Sequence, residues 1–89
     1  MPRMKTALRN DLRALQLVRD ELLLHLHLLG ADVNDRWQVL ERQWDSLKEH
    51  AHRAQTAAES ARPEIETAAG LLAEALRRGY AEIGNALKR

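Results

Sequence analysis

Leu8, Leu12, Leu15, Leu22, Leu26 and Leu29 recur at alternating steps of four and three residues, with Arg19 in the one core slot that breaks the series. That spacing is the heptad signature of an amphipathic helix packed against a partner, and it predicts a first helix over about residues 4–29. A lone long cation in such a slot keeps its head in water while its stem packs, and it can fix register or partner number. Leu17, Val18, Leu23, Leu24 and Leu28 lie outside the stripe. From about Leu17 onward the helix is therefore apolar around most of its circumference. A helix facing one neighbour shows one stripe, so this surplus predicts burial by more than one neighbour.

The chain then passes through Gly30-Ala31-Asp32-Val33-Asn34-Asp35. Gly30 suits a left-handed helix terminus, Asp32 suits a helix N-cap, and so short a connection favours an antiparallel return. A second helix over about 33–60 carries Val33, Trp37, Leu40, Trp44, Leu47, Ala51, Ala54, Ala58 and Ala61 on one face. Charged residues fill its outer positions. Asp32–Arg36, Glu49–Arg53 and, further on, Glu74–Arg78 are placed for i,i+4 pairing.

Pro63 divides two readings of the remainder. A proline lacks the backbone donor and disfavours helical geometry in the residue before it. Either Ser60 caps a third helix with Pro63 in its first turn, or the second helix continues with a kink. The apolar phase runs on without a break through Ala58, Ala61, Ile65, Ala68 and Leu72, and no Gly or Asn intervenes. The pattern thus favours the kinked helix, with Ile65, Ala69, Leu72, Leu76, Tyr80, Ile83 and Leu87 on one face of its 63–88 half. The expected fold is a single all-α domain over 1–89. It is an antiparallel helical hairpin whose long second helix is kinked near Pro63, coiled-coil-like and oligomeric. A compact three-helix bundle is the alternative. A second helix of ~55 residues would be ~80 Å long against ~39 Å for the first, so the hairpin leaves the stripe after Pro63 for another chain to cover.

Composition narrows the function classes. The chain has 89 residues, 45% apolar, mostly Leu and Ala, without Cys or Phe. No disulfide framework or thiolate metal site can form. A chain of this size often gains the buried area it lacks by association. The formal charge of +1 is too balanced for a strongly basic nucleic-acid domain. The Leu22–Leu29 run is too short for a membrane span and is interrupted by His25 and His27, which suits a cytoplasmic protein.

Candidate chemistry is thin. His25/His27 and His50/His52 are i,i+2 pairs, about 200° apart on a helix, and cannot share a metal. Ser46 and Ser60 have no evident His/Asp partners, and there is no Gly-rich phosphate loop. No catalytic, metal or cofactor site is therefore expected, and the chain is not expected to be an enzyme. Lys5, Arg9 and Arg13 form a basic ridge and are candidate contacts for an anion such as a phosphate backbone or acidic lipid.

The leading expectation is a structural or interaction module, a scaffold or adaptor that binds a second copy of itself as a dimer or higher oligomer. Its expected interface is Leu15, Leu17, Val18, Leu22, Leu24, Leu26, Leu28, Leu29, Trp37, Trp44, Leu72, Leu76, Tyr80 and Ile83. A different protein partner, an amphipathic contact with a membrane surface, and weak nucleic-acid binding through the basic ridge rank behind it. The scheme depends on the leucine surplus before Gly30. Leu17, Leu24 and Leu28 bare in solvent on an isolated molecule would remove it.

Overall fold

The computed structural model describes residues 2–88, with side chains from Leu8 onward. It has three helices, α1 (Pro2–Leu23), α2 (Ala31–Thr56) and α3 (Arg62–Leu87), with a 3-10 turn at Leu26–Leu28 between the first two. The principal extents are 45 × 19 × 16 Å. A helix of 26 residues is ~39 Å long, so the three rods lie side by side. α2 runs antiparallel to α3, with Trp37 beside Tyr80 and Arg36 paired with Glu82. α1 runs parallel to α3, linking Asp11 to Arg77. α3 packs extensively on both other helices, while α1 and α2 touch each other little.

The kinked-hairpin expectation is corrected here: the second helix stops at Thr56 and the chain closes into a three-helix bundle. In a continuous helix the Pro63 ring would meet the carbonyl of Glu59, four residues back, and one hydrogen bond would be lost. The break falls at 57–61, around that position, and Pro63 comes to rest in the first turn of α3, where its missing N–H costs nothing. Ala57 is extended, with φ −74° and ψ 151°. The terminus of α2 is closed from across the break by Arg62, which donates from Nε to the Ala54 carbonyl at 3.2 Å and from Nη2 to the Ala57 carbonyl at 3.4 Å. These carbonyls are among those that a helix end leaves unpaired. Ser60 does not cap α3. Its N-cap is Ala61, without a side-chain hydrogen bond. An unbroken apolar phase does not require an unbroken helix, because two helices facing one core satisfy it equally.

The first connection also differs from expectation. α1 ends at Leu23, and His25, Leu28 and Leu29 donate to Leu22, His25 and Leu26 in i→i+3 bonds. No proline or glycine forces this. Gly30 is consequently not a left-handed terminus. It is the N-cap of α2 in extended geometry (φ −72°, ψ 171°), and Asp32 lies in the first turn, where the helix dipole favours its charge.

The core contains Leu15 and Leu22 from α1, Trp37, Leu40, Trp44 and Leu47 from α2, and Ala69, Ala73, Leu76, Tyr80 and Ile83 from α3. Leu8, Leu12, Leu26, Leu29, Val33, Leu72 and Leu87 pack at its margin. The stripe after Pro63 is thus consumed inside the molecule. The Leu40 side chain packs onto the bare backbone of α3 at Gly79, where an added Cβ would overlap its Cδ2 methyl. Among the described residues no helix is long and apolar enough to cross a membrane.

Candidate functional site

The expected interface residues divide into two groups. Leu15, Leu22, Trp37, Trp44, Leu76, Tyr80 and Ile83 are buried in the chain's own core, and Leu26, Leu29 and Leu72 pack against it. A second molecule cannot reach the buried seven without unfolding the first, so their assignment to an interface between chains is corrected. α3 is a second neighbour for α1, and it covers Leu15 and Leu22, which belong to the heptad stripe and not to the surplus.

The surplus itself stays at the surface. Leu17, Leu24 and Leu28 are 67%, 72% and 66% exposed, and Val18 and Leu23 are partly covered. Within the single chain the expected burial by more than one neighbour is not met for these three leucines, so only a second molecule could provide it. At 100° per residue, Leu17 projects from the side of α1 opposite Leu15 and Leu22, while Leu24 and Leu28 lie beyond the end of α1, in the turn and the 3-10 segment. Arg13 is exposed one turn before Leu17; Asp20 and Glu21 are exposed just after it. Among the described residues neither Arg13 nor Glu21 has an ion-pair partner, whereas Asp20 lies 3.6 Å from Arg19. Elsewhere among the described residues, of the large apolar side chains only Leu71 (70%) and Val39 (44%) are comparably exposed, each alone on its helix.

Next to this ridge an open groove of about 330 Å³ runs between α1 and α3. Leu15, Val18 and Leu22 form one wall, and Tyr80, Ala81 and Gly84 form the other. Glu21 and Arg77 stand at its rim. Nothing lies within 4 Å of where a Gly84 Cβ would be, so the groove is shallow and its floor is open.

The polar centre of the bundle lies under α1. Arg19 does not merely snorkel from its heptad slot. Its Nε donates to Glu41 Oε1 and its Nη2 to Glu41 Oε2, both at 2.7 Å, a bidentate pair that ties α1 to α2. These hydrogen bonds hold the guanidinium in its charged form, raising its pKa above the ordinary value. The guanidinium carbon also lies 5.9 Å from the Trp44 ring centroid, within cation–π range. The Tyr80 ring meets Trp37 at 5.6 Å between centroids, tilted by 36°. The Tyr80 hydroxyl is buried and lacks a hydrogen-bond partner among the described residues. Burial raises its pKa well above the ordinary value of 10, the Glu41 carboxylate raises it further, and Arg19 partly offsets both.

A testable consequence follows from Tyr80. Removing an unpaired buried hydroxyl forfeits no hydrogen bond, so Tyr80→Phe should leave stability at pH 7 unchanged or raise it by up to about 2 kcal/mol. The folded state also holds the phenolic proton more tightly than the unfolded state. That contribution is complete below pH 10 and is lost as pH climbs through the raised folded pKa. Thermal melts between pH 9 and 11.5 should show wild type losing stability faster than Tyr80→Phe. Parallel loss in both proteins would contradict the assignment.

Other sequence candidates are not gathered into a site. Arg9 and Arg13 are exposed on α1; the Lys5 side chain lies outside the described residues. Arg9 borders a small recess with Leu8, Leu12, Ala51, Ala54 and Gln55. His50 lies 2.7 Å from the Ser46 carbonyl through Nδ1, one helical turn back, and His25, His27 and His52 are exposed. Among the described residues no group of three His, Cys, Asp or Glu side chains could hold a metal ion. Glu66 is buried, with its Oε1 unpartnered among the described residues. Of the expected i,i+4 pairs, Glu49–Arg53 forms at 3.2 Å, while Arg36 turns to Glu82 on α3 and Glu74 meets Arg77 rather than Arg78.

Sequence reasoning missed Glu41 and Arg62. Glu41 reads as one of many outward charges, and its only signal was a single carboxylate flanking the Trp44 face opposite the misplaced Arg19. Arg62 gave no signal, because its role exists only once the chain breaks at 57–61.

No protein-family model matches this chain, and neither a curated protein nor a solved structure is significantly similar to it.

Proposed function

We propose that the chain is a non-enzymatic helical interaction module, a scaffold or adaptor that self-associates through the outward face of α1. The observation that carries this reading is the exposed run of Leu17 on α1, Leu24 in the turn that follows and Leu28 in the 3-10 segment, each about two-thirds or more exposed. Scattered single leucines at a surface are ordinary, but three within twelve residues, next in the chain to an apolar groove, point to an interaction surface. The stripe after Pro63, once a candidate for the same role, is spent in the core, so the proposed interface is smaller than the pattern alone suggests. Asp20 and Glu21 border the ridge. Their charge opposes an anionic lipid surface and favours a protein as the covering partner.

Sedimentation equilibrium of the full chain at micromolar concentration should show a dimer or larger species. The Leu17→Ser/Leu24→Ser/Leu28→Ser variant should sediment as a monomer while keeping its helical circular dichroism, because these side chains lie outside the core. A clean wild-type monomer with the three leucines bare removes the reading.

A further inference from the structure

The proposed self-association leaves the orientation of the two chains open, and charge on the α1 ridge bears on it. Arg13 precedes Leu17 by four residues and Glu21 follows it by four. Both are exposed, and neither has an ion-pair partner among the described residues. Both lie within about 40° of Leu17 around the helix, on its outward side. A two-fold interface must be self-complementary, so that residue i of one copy meets residue j of the other and j meets i. Opposite charges at equal spacing on either side of a central leucine satisfy that condition in one orientation only. Antiparallel helices with the axis at Leu17 bring Arg13 of each copy level with Glu21 of its partner, twice per dimer. A parallel pair in register would set like against like at both positions.

The same register has room for the rest of the ridge. The C-terminal end of α1 at Leu23, just before Leu24, comes level with Asp11 of the other copy, close to the exposed and small Ala14. The shallow groove between α1 and α3, floored by Ala81 and Gly84, flanks the ridge and gives the partner helix an apolar bed beside its own leucines.

We propose that the occupant of the α1 ridge is a second copy of this chain, docked antiparallel α1 to α1 about a two-fold axis at Leu17, with reciprocal Arg13–Glu21 pairs setting its orientation. This rests on the self-association reading and specifies its geometry.

The test is a charge swap read by analytical ultracentrifugation of the full chain at low salt. Arg13→Glu and Glu21→Arg should each weaken the dimer by about tenfold, because each replaces two attractive pairs with two repulsive ones. Both variants should keep wild-type helicity and melting temperature as monomers, since neither side chain touches the core. An equimolar mixture of the two should recover near-wild-type affinity as a heterodimer, because both cross-pairs are then attractive. The double variant R13E/E21R should also recover it. If wild type is monomeric, both this geometry and the self-association reading fall. If wild type is dimeric but the single variants match it, or both are weakened and the mixture does not recover, the antiparallel geometry alone is overturned.

Discussion

A chain ending at Arg62 is expected to be unfolded: a far-ultraviolet spectrum largely without helical minima and no cooperative thermal transition. The reason is the division of labour among the three helices. α1 and α2 are joined by the short turn near Gly30, yet they meet directly in few places, among them the Arg19–Glu41 pair, and a small recess lies between Leu8 and Leu12 on one side and Ala51 and Ala54 on the other. The seam between them is filled from α3 by Ala69, Ala73, Leu76, Tyr80 and Ile83, each no more than 2% exposed. Deleting α3 would bare Leu15, Leu22, Trp37, Leu40, Trp44 and Leu47 together. Each large apolar side chain returned to water costs about 1.5–3 kcal/mol. Even at the low end their sum approaches the whole stability of a chain this size, which at 0.05–0.15 kcal/mol per residue is about 4–13 kcal/mol. The isolated helices, at 22 and 26 residues, do not survive well without a packed face. A truncated chain that stays helical and associates would restore the hairpin, with a second copy substituting for α3.

That contrast shows where the sequence stops being informative. The apolar period identifies all three helical segments and nearly every core position from Leu15 to Ile83, because burial imposes the same 3.6-residue rhythm whichever helix provides the neighbour. It cannot say which neighbour. Ala58 and Ala61 keep the phase across the break and yet are exposed, as the connecting segment 57–61 carries them off the bundle. Pro63 limits the geometry to two solutions, and what separates them is tertiary. The fold-back lets one stripe of α3 cover both other helices, and Arg62 then closes the open end of α2. The surplus on α1 was legible as a count of leucines. That the stripe residues Leu15 and Leu22 are covered while the surplus stays exposed needed the position of α3, which sits against only one flank of α1. Glu41 escaped notice for a related reason: a carboxylate on an outer position becomes a bidentate partner only when a cation from another helix arrives beside it.

Trp37→Ala is the point substitution with the largest expected effect, and its outcome separates a core anchor from an interface anchor. Trp37 is 2% exposed and faces Tyr80 across the α2–α3 contact, so truncation removes both the apolar contact and the aromatic pair. Large-to-small changes of this kind cost about 3–5 kcal/mol, roughly a quarter or more of the stability available to a chain of this length. The variant should unfold at a markedly lower denaturant midpoint than wild type. The shift should persist at nanomolar concentration, where a weak dimer has dissociated. That dilution is the decisive comparison. An interface tryptophan would shift the midpoint only when the protein is concentrated enough to associate, because its burial would depend on the second chain. Leu17→Ala provides the opposite limit. At 67% exposure it should change the dilute-state midpoint by less than about 0.5 kcal/mol, the range of ordinary surface substitutions. If Leu17→Ala proves costly in the dilute monomer, or Trp37→Ala proves silent there, the allocation of apolar residues between the bundle's interior and its outward ridge is wrong.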